Sequence, residues 1–205
     1  MGKLDGRVAL VTGANKGIGK GIARGLAREG ASLVLAARGA AELMAAAGEI
    51  ESLGGGAIDG LSTEAWDKVI AVNLRAPFLC TRAAFRIMKK QGGGRIINIG
   101  SISAQRVRPH SAPYSASKHG IWGLTQVTAL EGREHGITCC CLHPGNVLIE
   151  RREEGRAQGR EQDLEPMMTV DEIAEVAVLM ATLPPHVEML EAIVLPREQL
   201  YLGRG

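Results

Sequence analysis

The stretch that decides the fold is Arg7–Gly19, with the sequence RVALVTGANKGIG. Its first half is an apolar, β-branched run typical of a buried strand, and three glycines follow directly with the spacing Gly-x-x-x-Gly-x-Gly. Apolar residues then recur at helical spacing, at Ile22, Ala23 and Leu26. This order of strand, glycine loop and helix predicts the first unit of an α/β fold with parallel strands.

The glycine loop has the properties of an anion-binding site. Glycines let the backbone turn tightly and approach a pyrophosphate, and the helix N-terminus offers free N–H groups and a positive dipole end. An ordinary glycine-rich turn is the alternative, and the flanking strand and helix argue against it. The residues that we expect to contact a dinucleotide here are Gly13, Asn15, Lys16, Gly17, Ile18 and Gly19.

A second apolar strand leads into Arg38, which lies 19 residues beyond Gly19. An acidic residue about 20 residues after the loop would bind a ribose 2′-hydroxyl, whereas an arginine there suits a 2′-phosphate. Lys16 is a second cation that could reach the same phosphate. Each residue alone is more typical of a solvated surface, but together they favour NADP(H) over NAD(H).

The clearest candidate for a reaction centre is the run Tyr114-Ser-Ala-Ser-Lys118. Positions i and i+4 of a helix share a face, so the Lys118 ammonium lies near the Tyr114 phenol and favours its phenolate. A phenol of ordinary pKa ~10 would then exchange protons nearer neutral pH. Ser101 follows the apolar strand Arg95–Gly100, at the sheet edge where α/β proteins bind ligands. The alternative is a lysine on a solvated helix face.

These motifs resemble those of the short-chain dehydrogenase/reductase family. The match consists of Thr12-Gly13-x-x-x-Gly17-Ile18-Gly19, Ser101 with Tyr114-x-x-x-Lys118, Asn73 in Val72-Asn73-Leu74, and His143-Pro144-Gly145. The resemblance implies one Rossmann-like α/β domain over residues 1–205, a doubly wound parallel sheet with helices on both faces. It also implies hydride transfer between a nicotinamide cofactor and a carbonyl or alcohol.

The same resemblance implies roles for individual residues. Tyr114 would exchange a proton with the substrate oxygen, and Ser101 would hydrogen-bond that oxygen. Lys118 would bind the nicotinamide ribose, and Asn73 would hold a water in a proton relay from Lys118. Asn73 also lies on the apolar face of its helix, where a satisfied core asparagine is the alternative. The remaining cofactor contacts would be made by Tyr114, Pro144, Gly145 and Val147, and we interpret His143 as a turn residue.

One departure from the family concerns the middle of the sheet. After a helix expected over residues 40–53, the chain passes through Ile58 and Asp59 directly into the Asn73 helix, without the family's third and fourth strands. Without these strands, buried backbone N–H and C=O groups of the sheet would lack hydrogen-bond partners. Each unpaired group would cost roughly 1–3 kcal/mol of stability. We therefore favour a segment missing from this sequence between Ile58 and Asp59, and a genuine deletion is the alternative.

Composition and charge exclude several classes of function. The 205 residues are 45% hydrophobic with a formal net charge of +2, too little to suggest nucleic acid or an anionic membrane as partner. No run of 18 apolar residues exists, and a strand that starts near Arg7 leaves no room for a signal peptide, so we expect the cytoplasm. Cys139-Cys-Cys141 lies in an apolar run that predicts a buried strand, where adjacent thiols cannot converge on a metal.

The segment Leu148–Pro166 would lie over the substrate in this family. It holds ten charged residues between Glu150 and Glu165, so we expect a solvated, mobile loop rather than an apolar lid. Arg106, Arg108 and His110 are more typical of exposed charge, although they hint at an anionic substrate such as a 3-oxoacyl thioester.

The sequence thus indicates an NADP-dependent oxidoreductase that acts on a small carbonyl or secondary alcohol. The resemblance implies a homodimer or homotetramer, paired through the helices near residues 63–90 and 114–132. One alternative is an NAD-dependent alcohol dehydrogenase. The other is a non-catalytic nucleotide-binding or scaffold protein, which would follow if the central deletion were genuine.

Overall fold

The computed structural model describes residues 2–37 and 57–201, so Arg38 and the helix expected over residues 40–53 lie outside the described residues. The strands are β1 (Val8–Thr12), β2 (Ser32–Ala36), β3 (Gly94–Ile99), β4 (Ile137–Pro144) and β5 (Glu191–Val194). The helices are α1 (Gly17–Arg28), α2 (Thr63–Ile70), α3 (Ala76–Gln91), α4 (Ala112–Gly132), α5 (Glu150–Ala157) and α6 (Val170–Thr182). None of these helices is both long and apolar enough to span a lipid bilayer. The chain forms two compact units.

The first unit contains the described residues 2–37, 144–182 and 194–201. Strands β1 and β2 are parallel, with Val8 opposite Ser32, and α1 connects them. Helix α1 packs closely on α6, because a Cβ at Gly21 would lie only 2.1 Å from Val170 Cγ1. The order of strand, glycine loop and helix predicted from Arg7–Gly19 is therefore confirmed.

The second unit contains the described residues 57–143 and 183–193. Its sheet has the order β3-β4-β5, and β3 and β4 are parallel. The predicted cysteine strand is confirmed as β4, in which Cys139, Cys140 and Cys141 are all buried. Burial raises the pKa of these thiols, to about 12 for Cys140 and about 11 for Cys141. They act here as small apolar side chains in the core.

The segment over residues 148–166, expected to be a solvated, mobile loop, includes regular structure. It contains α5 and a 3₁₀ turn, Glu161–Asp163. The fully buried Asp163 accepts a hydrogen bond from Arg152 at 2.5 Å, and its carbonyl accepts one from Arg156 at 2.7 Å. One ion pair with a buried carboxylate thus holds a segment in which most charged side chains, such as Glu153, Glu154 and Arg160, are exposed to water. Its mobility stays a prediction.

The described strands fall into two separate sheets, β1-β2 and β3-β4-β5. Apolar side chains of the first sheet are 52% to 72% exposed, namely Val8, Leu10, Val34 and Leu35. Parallel sheets normally have both faces covered. Ile58–Gly60 forms one 3₁₀ turn, closed by the Gly60 N–H on the Ala57 carbonyl at 3.0 Å. The segment expected between Ile58 and Asp59 stays a prediction.

We expect the natural protein to have an intact mass above the 21.7 kDa of this sequence. The increase should be at least that of one βαβ unit of about 30 residues, because such a unit would cover the exposed apolar residues of β1 and β2. Mass spectrometry of the natural protein, with sequencing of its transcript, measures the difference. A mass of 21.7 kDa would instead establish a genuine deletion.

Candidate active site

The glycine loop between β1 and α1 has a backbone that requires glycine. Gly13 and Gly17 have φ angles of 65° and 54°, in the left-handed region that side chains disfavour. A Cβ at Gly19 would lie 2.3 Å from the Gly13 carbonyl oxygen. The loop exposes Asn15 and leaves Lys16 and Ile18 half-buried. The sequence motif therefore specifies a tight turn directly before α1.

This loop already binds an anion. The Gly17 N–H, the first of α1, donates to the Glu150 carboxylate, with distances of 3.2 Å and 3.1 Å to its two oxygens. Partial burial opposes ionisation of Glu150, but backbone N–H groups and the nearby charges of Lys20 and Lys16 outweigh it and lower its pKa. A negatively charged group thus fits the end of α1, as the dipole argument predicts.

The turn after β4 contacts the C-terminal segment of the chain through Gly145. The Gly145 N–H donates to the Val194 carbonyl at 2.8 Å, and a Cβ at Gly145 would lie 2.2 Å from Gln199 Oε1. Val147 is buried and forms a parallel bridge with Met168. Pro144, Gly145 and Val147 therefore belong to the same unit as the glycine loop.

Ser101 lies just beyond β3, in the second unit. It is buried, and its Oγ accepts a hydrogen bond from the Ser103 N–H at 3.1 Å. Its backbone is aligned by the pairing of β3 with β4, since the preceding Gly100 N–H donates to the Leu142 carbonyl at 2.8 Å. The sequence prediction that Ser101 follows a parallel strand is confirmed, but that strand is half-buried, with only Asn98 of β3 buried.

Tyr114 and Lys118 lie on α4, one turn apart. The Lys118 Nζ is 5.6 Å from the centroid of the Tyr114 ring and donates to the Ile99 carbonyl at 3.0 Å. This hydrogen bond ties the lysine to the end of β3, two residues before Ser101. Tyr114 itself is 36% exposed, so its phenol is accessible to a ligand. The structure thus brings Ser101, Tyr114 and Lys118 to the same end of one sheet.

Asn73 lies in a π-helical turn, Ala71–Arg75, between α2 and α3. Such turns widen a helix and occur often at functional sites. Pro77 follows in the first turn of α3, where a proline is tolerated because its missing N–H would have no helical partner. The neighbouring Leu74 packs on α4, since a Cβ at Gly120 would lie 2.8 Å from Leu74 Cδ2. The half-buried Asn73 therefore lies on an element that contacts the helix of Tyr114 and Lys118.

His143 is a residue whose position the sequence interpretation missed. It is not a turn residue but a fully buried member of β4. Its Nδ1 lies 2.8 Å from the Ser101 carbonyl oxygen and 3.2 Å from the Ser101 nitrogen, and its Nε2 lies 3.5 Å from Glu191 Oε1. The sequence did contain a signal for this position, because His143 is a polar residue directly after the apolar run of the cysteine strand. Gly100 makes this contact possible, because a Cβ there would lie 2.5 Å from His143 Nδ1.

A shallow cleft of about 450 Å³ lies at the start of α4 in the second unit. Its polar lining includes Arg108, His110, Ser111, Ser115 and His119. His110 has a φ of 61°, an uncommon conformation for a residue other than glycine. The structure thus places two of the three cationic residues noted in the sequence around one open cleft.

The parallel strands, the glycine loop and the helix that follows it define a nucleotide-binding α/β protein of the Rossmann type. The chain belongs to the short-chain dehydrogenase family, whose model matches residues 7–61 and 53–159. The two matched ranges overlap at residues 53–61, which include Ile58 and Asp59, the pair between which we expect a segment to be missing.

Similar proteins agree with this assignment. The chain is 33% identical to a D-β-hydroxybutyrate dehydrogenase of Cupriavidus necator, over 76% of this chain and 77% of that protein. It is 34% identical to the uncharacterised oxidoreductase YxjF of Bacillus subtilis, over 86% of this chain and 91% of that protein. This second alignment spans 234 positions, more than the 205 residues of the chain, so the chain lacks residues that YxjF has.

A solved structure confirms the fold class. The structure of a candidate 2-deoxy-D-gluconate 3-dehydrogenase of Agrobacterium tumefaciens, with bound NADP, superposes with a TM-score of 0.81. The sequences are 29% identical, and the alignment covers 94% of this chain and 96% of that one. The Rossmann-like α/β class predicted from the sequence is therefore established.

We expect His143 to position Ser101. Replacing His143 by Leu removes the nitrogen beside the Ser101 backbone, and turnover should fall about tenfold because a buried backbone group loses its partner. His143→Asn places an amide near the position of Nδ1 and should restore most of the kcat. Steady-state kinetics with cofactor saturating separates kcat from KM.

A fall in kcat with unchanged KM in the leucine variant, and rescue by asparagine, is the expected pattern. Thermal unfolding of both variants provides the control. Equal kcat values for the leucine and asparagine variants at equal melting temperature would contradict a positioning role.

Proposed function

We propose that the protein is an NADP(H)-dependent oxidoreductase that interconverts a small carbonyl compound and a secondary alcohol. The observation that carries the proposal is the group at the end of β3. Lys118 lies beside the Tyr114 ring and is hydrogen-bonded to the backbone two residues before Ser101. We assign proton transfer to the Tyr114 phenol, assisted by the Lys118 ammonium. The Ser101 hydroxyl would bind the substrate oxygen beside them.

The chemistry divides between the cofactor and the chain. The nicotinamide, when bound, supplies or accepts the hydride at the substrate carbon. Tyr114 donates its phenolic proton to the substrate oxygen during reduction and takes it back during oxidation. Ser101 donates a hydrogen bond to the same oxygen as negative charge develops there.

Two further residues complete the proposed proton path. Lys118 holds its ammonium beside the Tyr114 ring, at 5.6 Å from the ring centroid. Asn73 holds a water in a proton relay from Lys118, and the next residue of its π-helical turn, Leu74, lies against Gly120 of α4. The half-burial of Asn73 supports a water contact over a fully enclosed core role.

Tyr114→Phe should abolish nearly all turnover and leave cofactor binding unchanged. The phenylalanine ring retains the packing of Tyr114, and only the proton donor is lost, so the loss should reach at least about a hundredfold. Carbonyl reduction is followed by NADPH absorbance with a panel of ketones and 3-oxo acids, and binding is measured by calorimetry. Undiminished turnover in the variant would refute the proposed role of Tyr114.

The scaffold alternative has one observation in its favour, since the described strands form two separate sheets. Calorimetry of the unmodified protein separates the two functions. Binding of NADPH with micromolar affinity supports the oxidoreductase, and absence of binding by both NADPH and NADH favours the scaffold.

The preference for NADP(H) over NAD(H) rests on Lys16 and Arg38. Lys16 lies in the glycine loop immediately before α1, and Arg38 follows the second strand in the sequence. Two cations suit a 2′-phosphate, which Lys and Arg bind by charge-assisted hydrogen bonds. The Agrobacterium relative was solved with bound NADP, which supports this choice.

Arg38→Asp should reverse the cofactor preference. The aspartate repels a 2′-phosphate and can accept hydrogen bonds from a ribose 2′-hydroxyl, so affinity should fall for NADPH and rise for NADH. Dissociation constants of both cofactors, measured before and after the change, give the ratio. An unchanged ratio would show that Arg38 does not contact the cofactor.

The substrate class that we infer is a small anionic hydroxy or keto compound. Arg108 and His110 line the cleft at the start of α4, and the Cupriavidus relative is a hydroxybutyrate dehydrogenase, which acts on a carboxylate-bearing alcohol. A 3-oxoacyl thioester is an alternative anionic substrate for the same cleft. Adding a 3-oxoacyl thioester to the panel of ketones and 3-oxo acids distinguishes the two substrate classes by their rates of reduction.

A homodimer or homotetramer in the cytoplasm completes the proposal. The helices expected to pair across a two-fold axis expose apolar side chains, among them Phe78 and Ile87 on α3 and Val127 and Leu130 on α4. A second copy of the chain would cover these residues.

A further inference from the structure

The contact between Glu150 and Gly17 links α5 to the glycine loop within the first unit. Both carboxylate oxygens of Glu150 lie within 3.2 Å of the Gly17 nitrogen. The preceding Ile149 lies on the same residue, since a Cβ at Gly17 would be 3.3 Å from Ile149 Cγ2. The start of α5 therefore covers the N-terminus of α1 directly.

The charges around this contact suit an anion of any kind. Lys16 and Lys20 flank Gly17 in sequence, and both stabilise the ionised form of Glu150. A carboxylate and a phosphate use the same features of a helix N-terminus, namely its free N–H groups and its positive dipole end. A single Gly17 N–H cannot donate a strong hydrogen bond to the Glu150 carboxylate and to a phosphate at the same time.

We propose that Glu150 is an internal competitor for the pyrophosphate of the dinucleotide, so that cofactor binding must displace its carboxylate from Gly17. The inference rests on the proposed function, because it takes the glycine loop as the pyrophosphate site. Glu150 is then a determinant of cofactor affinity that weakens binding, although it lies outside the glycine motif.

The remainder of α5 is held by contacts with Asp163, so the displacement concerns the first residue of the helix. Arg152 pairs with the buried Asp163, and Arg156 donates to the Asp163 carbonyl. Gly155 packs against the same aspartate, where a Cβ would lie 1.7 Å from Asp163 Oδ2. Rotation of the Glu150 side chain frees the Gly17 N–H without dismantling these contacts.

Glu150→Gln tests the inference, and Glu153→Gln is its matched control. Glu153 lies in the same first turn of α5 and is exposed, as Glu150 is, so its replacement removes an equal charge at the same helix end. Calorimetry with NADPH should show binding about three- to tenfold tighter for Glu150→Gln, because a neutral amide competes less well than a carboxylate. The Glu153→Gln variant should stay within about twofold of the unmodified protein by the same measure.

Inorganic pyrophosphate provides a second probe, which needs no nicotinamide chemistry. Its affinity should rise for Glu150→Gln by a similar factor. Equal or weaker binding of both probes by Glu150→Gln would overturn the inference. If NADPH binds none of the three proteins, the proposed function fails, and the pyrophosphate titration still decides whether Glu150 competes for the anion site.

Discussion

Burial of β4 between β3 and β5 is the constraint on which the candidate active site depends. All of β4 except Thr138 is buried, and its backbone pairs on both sides. The Gly100 N–H donates to the Leu142 carbonyl of β4, and the Cys141 N–H of β4 donates to the Leu190 carbonyl. The pairing with β3 aligns the strand end from which Ser101 follows. Lys118 reaches the same strand end through the Ile99 carbonyl, and the Tyr114 ring, one helical turn away, lies 5.6 Å from its Nζ.

The parts of the molecule that follow from local chemistry could be predicted from the sequence. The glycine loop is an example, because Gly13, Gly17 and Gly19 occupy positions where backbone angles or close contacts admit little else. The α/β class and the buried cysteine strand followed from apolar runs that only a covered strand tolerates. Such features need no knowledge of distant residues.

What could not be predicted depends on contacts with distant parts of the chain. Charge density over residues 148–166 predicted a solvated loop, but it did not show that Asp163 is buried against arginines of α5. His143 resembled a turn residue because proline and glycine follow it, whereas its partners are Ser101 and Glu191 on other strands and loops. Pairing of buried polar groups depends on tertiary contacts, which composition and periodicity do not carry.

The contact of Glu150 with Gly17 places a carboxylate at the N-terminus of α1, where a negative charge is stabilised. The N-terminus of α1 presents free N–H groups, and two lysines flank it, so a nearby carboxylate lowers the energy of the protein without cofactor. On our proposal, a dinucleotide must displace this carboxylate, so the observed affinity for the cofactor equals the intrinsic affinity multiplied by the fraction of molecules whose site is open. The neighbouring Ile149 strengthens the effect, because its packing on Gly17 keeps the carboxylate near its donor.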